Sequence, residues 1–207
     1  MRTLVIASQK GGVGKTTLAG HLGVVAEQSG AGPVALIDCD PQGSLASWWN
    51  ERAAEAPLFA SVAIANLAGH LQALDQAGIK LAIIDTPPAV TDMIRAVLKV
   101  ADLVLIPTRP SPHDLRAVGT TVELVEQAGK KMVFVINGAA ARAKIAGEAA
   151  VALSQHGTVA PVTLYQRTDF ASSMIDGRTV QEIDPKSRSA EEVASLWKYV
   201  SAQLRKT

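Results

Sequence analysis

Hydrophobic positions along the chain form short apolar runs that alternate with longer amphipathic segments. The runs predict buried strands at Leu4–Ala7, Val34–Ile37, Leu81–Ile84, Leu103–Ile106, Met132–Ile136 and Val159–Leu164, with a weaker seventh at Phe59–Ile64. The amphipathic segments predict helices at Thr17–Gln28, Ser44–Ala54, Asn66–Gln76, Asp92–Val100, Leu115–Gln127, Lys144–Gln155, Thr168–Asp176 and Ala190–Lys206. Repeated strand-then-helix order with right-handed crossovers builds an open, mostly parallel twisted sheet with helices on both faces. The predicted fold class is α/β.

Length and charge narrow the picture further. At 207 residues and 48% hydrophobic composition the chain can bury one substantial core, so we expect a single domain over residues 1–207. The net charge of +1 is close to neutral and does not by itself indicate a nucleic-acid-binding protein. Residues 1–107 carry 7 basic and 9 acidic side chains, whereas residues 108–207 carry 13 and 10. This bias fits a basic face formed by the second half, and it fits solvated helix surfaces equally well.

Several classes of protein are disfavoured by what the sequence lacks. Cys39 is the single cysteine, so no internal disulfide can form and a reducing cytoplasm is the natural compartment. The four histidines have no metal-ligand spacing. No secretory leader opens the chain, and no apolar run approaches the ~18 residues that a spanning helix requires. We therefore expect a cytoplasmic protein with no stable membrane association.

The most specific chemistry lies between the first predicted strand and the first predicted helix. Residues Gln9–Thr17, here called the phosphate loop, read Gln-Lys-Gly-Gly-Val-Gly-Lys-Thr-Thr. Glycines let backbone N–H groups turn around an oxyanion, and the helix that follows adds the positive end of its dipole. Lys15 can reach the β- and γ-phosphates of a nucleotide, and Thr16 can offer its hydroxyl to Mg²⁺. The alternative is a glycine-rich turn with incidental lysines.

The phosphate loop departs from the ordinary phosphate-binding pattern in one way. Gln9 stands where that pattern requires glycine, and a second lysine, Lys10, precedes the glycine pair. Two lysines at one anion pocket repel each other unless a multiply charged ligand is present. The loop resembles the deviant Walker A motif of the ParA/MinD superfamily of dimeric P-loop ATPases. The resemblance implies ATP and Mg²⁺ as cofactors and a homodimer that forms on ATP binding.

The same resemblance assigns roles within the phosphate loop. Lys10 and Lys15 take catalytic roles, and Lys10 reaches the nucleotide of the partner subunit. The nucleotide is contacted by Lys10, Gly11, Gly12, Val13, Gly14, Lys15, Thr16 and Thr17.

Acidic residues follow two further predicted strands. Asp38 and Asp40 are two residues apart, so both point the same way while the backbone stays extended. They resemble the family's second motif, which gives Asp40 the role of orienting or deprotonating the attacking water and Asp38 a supporting role near Mg²⁺. The alternative for Asp40 is a cap on the helix that starts near Ser44. Asp85 resembles the family's Walker B acid, which holds Mg²⁺.

Later segments extend the resemblance nearly to the end of the chain. Asn137 stands where the family commonly places an adenine contact, and the alternative is a turn residue. The proline-rich stretch Pro107–Leu115 predicts a rigid, non-helical connection near the dimer face. The segment Ile183–Arg188 matches the family's C-terminal segment. The basic residues that resemble DNA contacts, each equally explained as a surface salt-bridge partner, are Arg142, Arg167, Lys186 and Arg188.

The resemblance implies an ATP-dependent switch that binds nonspecific DNA on the nucleoid and segregates or positions plasmid or chromosome DNA. Turnover is expected to be slow and stimulated by a small ParB-like or cargo adaptor protein. No helix-turn-helix domain precedes the first strand, so we expect no operator binding. The alternatives are ParA-like positioning of a protein assembly, such as a chemotaxis cluster or microcompartment, and a MinD-like membrane positioner. A single cysteine excludes a nitrogenase-type reductase, and the match at Lys10 and at Asp184 to Arg188 disfavours a biosynthetic ligase.

Overall fold

The computed structural model of the protein describes residues 1–88, 92–141 and 144–206. Within them one sheet contains β1 (Arg2–Ile6), β2 (Val34–Asp38), β3 (Leu58–Phe59), β4 (Leu81–Asp85), β5 (Leu103–Thr108), β6 (Lys131–Ala139) and β7 (Thr158–Tyr165). The strand order is β3-β2-β4-β1-β5-β6-β7, and each neighbouring pair is parallel. The predicted α/β class and open parallel sheet are confirmed.

Helices connect successive strands, the last three helices follow β7, and together they cover both faces of the sheet. They are α1 (Lys15–Gln28), α2 (Ser44–Asn50), α3 (Leu67–Gln76), α4 (Asp92–Lys99), α5 (Pro112–Gln127), α6 (Ile145–Ser154), α7 (Thr168–Ser173), α8 (Val180–Ile183) and α9 (Arg188–Leu204). Short 3₁₀ turns occur at Ile64–Asn66 and Met174–Asp176.

Two apolar layers flank the sheet because successive side chains of a buried strand point to opposite faces. In β1, Leu4 and Ile6 pack in the layer formed with α1, α2, α8 and α9, and Val5 packs in the layer formed with α3 to α6. The apolar stripe of α9, which includes Val193 and Trp197, is buried in the first layer. Because these side chains pack against the sheet, the stripe presents no exposed apolar surface that could bind a membrane. None of the described helices is long and apolar enough to cross one.

The proline-rich stretch is the clearest correction to the predicted elements. Pro112 begins α5 instead of preventing it, so the helix starts three residues before the predicted Leu115. Ser111 is the N-cap, and its hydroxyl accepts a hydrogen bond from the Asp114 N–H (3.1 Å). Proline is tolerated at the first helical position because its missing N–H has no intrahelical partner there.

Other differences concern short elements with weak periodicity. The weak strand predicted at Phe59–Ile64 is wrong beyond Phe59, because the edge strand β3 contains only Leu58–Phe59 and a 3₁₀ turn begins at Ile64. Helix α8 was not predicted, since its four residues carry no helical pattern. Helix α9 begins two residues before the predicted Ala190, with Ser187 as its cap.

Candidate functional site

The phosphate loop joins the carboxyl end of β1 to α1, at the edge of the sheet where ligands bind in open parallel folds. Gly12 and Gly14 have φ angles of 73° and 90°, a left-handed conformation that favours glycine. Gly14 is the N-cap of α1 and provides no side-chain hydrogen bond. The first N–H groups of α1 are therefore available to an anion, at the positive end of the helix dipole.

The two lysines of the phosphate loop occupy different environments. Lys15 is buried, with 7% of its surface exposed, and its Nζ donates to the Lys10 carbonyl (3.3 Å). Burial lowers the pKa of Lys15, while the charges of Asp85 and Asp40 oppose that change. The Lys10 side chain is exposed, and no described residue forms an ion pair with it. Lys15 thus lies inside the site, whereas Lys10 faces outward.

Asp85 lies beside Thr16 below the phosphate loop. The Thr16 hydroxyl donates to Asp85 Oδ2 (2.6 Å), and the Thr86 N–H donates to Oδ1 (2.9 Å). Asp85 is 1% exposed, and this burial raises its pKa to about 7 against the opposing effect of the Thr16 hydrogen bond. A buried carboxylate beside a hydroxyl is a suitable donor set for a hard cation such as Mg²⁺.

The donor set also fits the way in which proteins usually hold Mg²⁺. Within residues 1–88, 92–141 and 144–206, no three His, Cys, Asp or Glu side chains converge as a complete set of metal ligands. Magnesium is commonly bound through one or two protein oxygens, with phosphate oxygens and water completing its shell. Thr16 and Asp85 meet that requirement only together with a phosphate ligand.

Asp38 and Asp40 serve different local purposes. The Asp38 carboxylate accepts hydrogen bonds from the Leu45 and Ala46 N–H groups (3.0 Å each) and from the Asp40 N–H (2.9 Å). Asp38 therefore holds the first turn of α2, and the alternative that Asp40 caps this helix is wrong. Asp40 Oδ1 accepts from the Gln42 N–H (3.0 Å), and no described residue hydrogen-bonds its Oδ2. The magnesium role of Asp38 and the catalytic role of Asp40 stay predictions.

Asn137 lies next to the phosphate loop at the end of β6. Its Nδ2 donates to the Val13 carbonyl (2.6 Å) and packs so closely on Gly14 that a Cβ there would clash with it. This hydrogen bond fixes the orientation of the amide. Asn137 Oδ1 has no hydrogen-bond partner among the described residues and is left as an acceptor, which suits the exocyclic amine of adenine.

A cavity of about 170 Å³ extends from the phosphate loop past Asn137 to the ends of β5, β6 and β7. The residues that line it are Gly14, Thr17, Leu18, His21, Arg109, Asn137, Gly138, Leu164, Tyr165, Gln166, Arg167, Phe170 and Ala171. His21 and Arg109 were not predicted as parts of this site. The position of Arg109 directly after a buried strand is the sequence signal that places it at this edge of the sheet.

The predicted DNA-binding residues are in unlike surroundings. Arg167 forms an ion pair with Glu192 (2.6 Å), as the salt-bridge alternative stated, and it lines the cavity. Lys186 and Arg188 are exposed near the start of α9, and no described residue forms an ion pair with either. Arg142 lies outside the described residues. A role in DNA binding stays a prediction for all four.

Comparison with known proteins adds three findings. A family model described as the CobQ/CobB/MinD/ParA nucleotide binding domain matches residues 4–180. The Maintenance of carboxysome distribution protein A of Halothiobacillus neapolitanus is 30% identical over 199 residues, which cover 91% of this chain and 90% of that protein. Protein ParA of Rhizobium radiobacter is 34% identical over 131 residues, which cover 61% of this chain and 57% of that protein.

The fold is also found in solved structures. An ATP complex of a Cyanothece McdA variant has a TM-score of 0.76 with this chain at 21% identity, covering 99% of this chain and 96% of the other. At that identity the likeness shows the fold.

Proposed function

The chain belongs to the CobQ/CobB/MinD/ParA nucleotide-binding family as a ParA/MinD-type ATPase, and we propose that it is an ATP-driven dimerisation switch that positions a cellular cargo. Its cofactors are ATP and Mg²⁺. The observation that supports the proposal best is that the glycine-rich loop holds a buried lysine, Lys15, close enough to feel the charge of the buried Asp85, which accepts a hydrogen bond from Thr16. The Lys15 ammonium complements the negative charge of a nucleoside triphosphate, and the Asp85 carboxylate complements the charge of its cation.

Each residue of the site has a separable task in this proposal. The loop N–H groups and Lys15 bind the β- and γ-phosphates, and Thr16 with Asp85 holds Mg²⁺. The cation neutralises phosphate charge when it is bound. Asp40 Oδ2, which has no partner among the described residues, accepts the hydrogen bond of the attacking water and takes its proton. Lys10, exposed at the mouth of the loop, reaches the nucleotide of the partner subunit.

Nonspecific DNA is the platform that we propose for the ATP-bound dimer, with plasmid or chromosome DNA as cargo. The resemblance of the phosphate loop and later segments to the ParA/MinD superfamily, which implies this activity, supports the assignment, and the Rhizobium radiobacter relative shares the name ParA. Each phosphate contact contributes binding free energy through counterion release, and dimerisation doubles each basic patch. A chain with little net charge can therefore still bind DNA. A small ParB-like or cargo adaptor protein would stimulate hydrolysis and release the dimer.

A protein assembly is the second candidate cargo. The match over 91% of the chain to a protein named for carboxysome distribution favours it. In both cases the ATPase cycle is the same, and only the adaptor that stimulates hydrolysis differs.

The cycle is tested by sedimentation and by ATP turnover in three variants. Lys15→Ala should lose nucleotide binding, because it removes the buried cation of the site. Lys10→Ala should still bind nucleotide but fail to dimerise with a nonhydrolysable ATP analogue. Asp40→Ala should stay dimeric in ATP with little turnover. Lys99→Ala, which removes an exposed lysine at the end of α4, is the matched control and should behave as wild type.

Three outcomes would contradict the proposal. A Lys10 variant that dimerises normally removes the role of that lysine in the partner's site. Unchanged hydrolysis in the Asp40 variant moves water activation to another group. Wild-type protein that binds no ATP would overturn the proposed switch altogether.

A further inference from the structure

We propose that Arg109 forms one wall of the base site, where its guanidinium stacks on the purine ring of the bound nucleotide. The inference rests on the proposed nucleotide function and adds a contact that lies outside the phosphate loop. Arg109 directly follows β5, and its side chain is exposed. It is thus placed at the same sheet edge as the phosphate loop and Asn137.

The Arg109 side chain runs beside the backbone of Gly138. A Cβ at residue 138 would lie 3.5 Å from Arg109 Nε, 3.7 Å from its Cγ and 4.0 Å from its Cδ, all of them ordinary contact distances. Gly138 has a φ angle of 67°, which independently favours glycine. The guanidinium is therefore carried over the end of β6, next to Asn137.

Arg109 stands between two cavities. The first is the 170 Å³ cavity that begins at Gly14 and Thr17, and the second, of about 240 Å³, is bounded by Ser111 and Ile145. Arg109 and Gly138 line both. A nucleotide whose phosphates occupy the loop must place its base in the first cavity, because that cavity alone of the two includes loop residues. The base would then contact the Arg109 side chain, which lines that cavity.

The guanidinium of Arg109 is available for this contact. Arg167, the other arginine that lines the first cavity, is neutralised by Glu192 through Nη2 (2.6 Å) and Nε (3.2 Å). The Arg109 guanidinium forms no hydrogen bond or ion pair with any residue in the described part of the chain. A planar, weakly hydrated cation stacks well on an aromatic ring, and lysine has no equivalent plane.

The contact divides base recognition between two side chains. Asn137 Oδ1 meets the edge of the base and discriminates an amine from a carbonyl, whereas Arg109 would meet its face. A face contact contributes affinity for ADP and ATP alike, since it does not involve the phosphates. It contributes nothing to a ligand that has phosphates and no base.

The experiment compares ADP with inorganic tripolyphosphate, both with Mg²⁺, by isothermal titration of the full chain. ADP is used because it isolates binding from ATP-dependent dimerisation. Arg109→Ala should weaken ADP binding by about 3- to 30-fold, the range of a cation–π contact, and leave tripolyphosphate binding unchanged. Arg109→Lys should also bind ADP more weakly than wild type. Arg95→Ala, an exposed arginine on α4, is the matched control and should bind both ligands normally.

Three results would overturn the inference. Unchanged ADP affinity in Arg109→Ala removes the contact, and an equal loss for tripolyphosphate makes Arg109 a phosphate ligand. A defect confined to ATP-dependent dimerisation makes it an interface residue. If wild-type protein binds neither ligand, the proposed function fails, which is distinct from a failure of the Arg109 contact.

Discussion

Two buried charged groups, Lys15 in the phosphate loop and Asp85 beside Thr16, form no ion pair with any described residue. Burial lowers the pKa of Lys15 and raises that of Asp85 to about 7, so each is held where its charged form is disfavoured. Phosphate and Mg²⁺ would supply the missing opposite charges. The site is therefore suited to its ligands at the expense of the stability of the ligand-free protein.

Asp85→Asn should stabilise the protein free of metal and nucleotide at pH 8. The ordinary pKa of this carboxyl is 3.8 and the folded value is about 7, so the folded state binds the proton more tightly than the unfolded state. The cost of ionising Asp85 is absent below about pH 4, grows as the pH rises to 7 and is constant above it. At roughly 1.4 kcal/mol per unit it amounts to a few kcal/mol.

Thermal unfolding of wild type and variant between pH 4 and pH 8 measures this effect. Wild type should lose stability relative to Asp85→Asn as the pH rises, and the variant should lose Mg²⁺-dependent ATP binding. Glu123→Gln, which neutralises an exposed carboxylate on α5, should change neither property. Parallel pH profiles for wild type and Asp85→Asn would refute the shifted pKa.

Helix α1 connects the phosphate loop to the C-terminal helices through His21. Nδ1 of His21 lies 2.8 Å from the Thr17 carbonyl, and Nε2 lies 3.3 Å from the Val180 N–H. A carbonyl only accepts and an N–H only donates, so these partners require the neutral ring with its proton on Nδ1. Burial accordingly lowers the pKa of His21 to about 4. The His21 ring can therefore form both hydrogen bonds, and so connect α1 to α8, only while it is neutral.

Acid should weaken this connection over a defined range. The folded pKa of His21 lies below its ordinary 6.5. The stability that the neutral ring contributes is therefore fully present above pH 6.5 and is lost as the pH falls towards 4. The loss is on the order of 3 kcal/mol. His21→Gln keeps one donor and one acceptor and does not titrate, so its unfolding free energy should vary less between pH 6.5 and pH 4. His156→Gln, at an exposed position, should leave the wild-type profile unchanged.

Arg52, two residues after the end of α2, forms a polar connection to α8. Its side chain is 1% exposed, donates to Glu182 at 2.8 and 3.1 Å, and also donates to the Gly177 and Ala56 carbonyls. Its guanidinium lies 4.9 Å from the centre of a Trp48 ring. Removing one partner leaves a buried charge uncompensated.

We expect Arg52→Ala to lower the free energy of unfolding by about 3–5 kcal/mol. Urea denaturation measures the loss. Arg178→Ala removes an arginine from the exposed pair with Asp176 and should cause no measurable change, because solvent screens that pair. Equal effects of the two substitutions would contradict the importance of burial.

Dimerisation would bring two copies of each basic surface together and so strengthen binding to the proposed DNA platform. Lys186 and Arg188 are exposed at the start of α9, on the sheet face that α1 also covers, whereas α4 covers the opposite face. Arg167 is a poor choice for charge reversal, because a glutamate there would face Glu192 and disturb the fold locally. The exposed pair offers a cleaner test.

Reversing both charges, with Lys186→Glu and Arg188→Glu, should weaken ATP-dependent binding of nonspecific duplex DNA and leave dimerisation intact. The remaining binding should depend less steeply on salt, because fewer counterions are released. Filter binding or anisotropy over a salt series measures both. The matched control is Arg95→Glu with Lys99→Glu on α4. DNA binding that survives the first pair and fails with the control would place the surface on the other face.

The patterns that predicted the sheet and the phosphate loop are local. Apolar runs that end in Asp38 and Asp85, and a glycine-rich turn between a strand and a helix, place their residues through neighbours in the chain. Strand ends of a parallel sheet meet at one edge, so local pattern was also enough to expect Lys15, Thr16 and Asp85 together. In the structure Thr16 and Asp85 are joined by a hydrogen bond.

The partners of several polar groups depended on the folded chain. Arg52 meets Glu182 across 130 residues and Arg167 meets Glu192 across 25, while Asp38 reaches past Asp40 to cap α2. Arg109 lies on Gly138 because β5 and β6 are neighbours in the sheet. Periodicity says which face a residue occupies and nothing about which long side chain will meet it there. Those choices are made by three-dimensional proximity, because a buried charge must find a partner within hydrogen-bond distance.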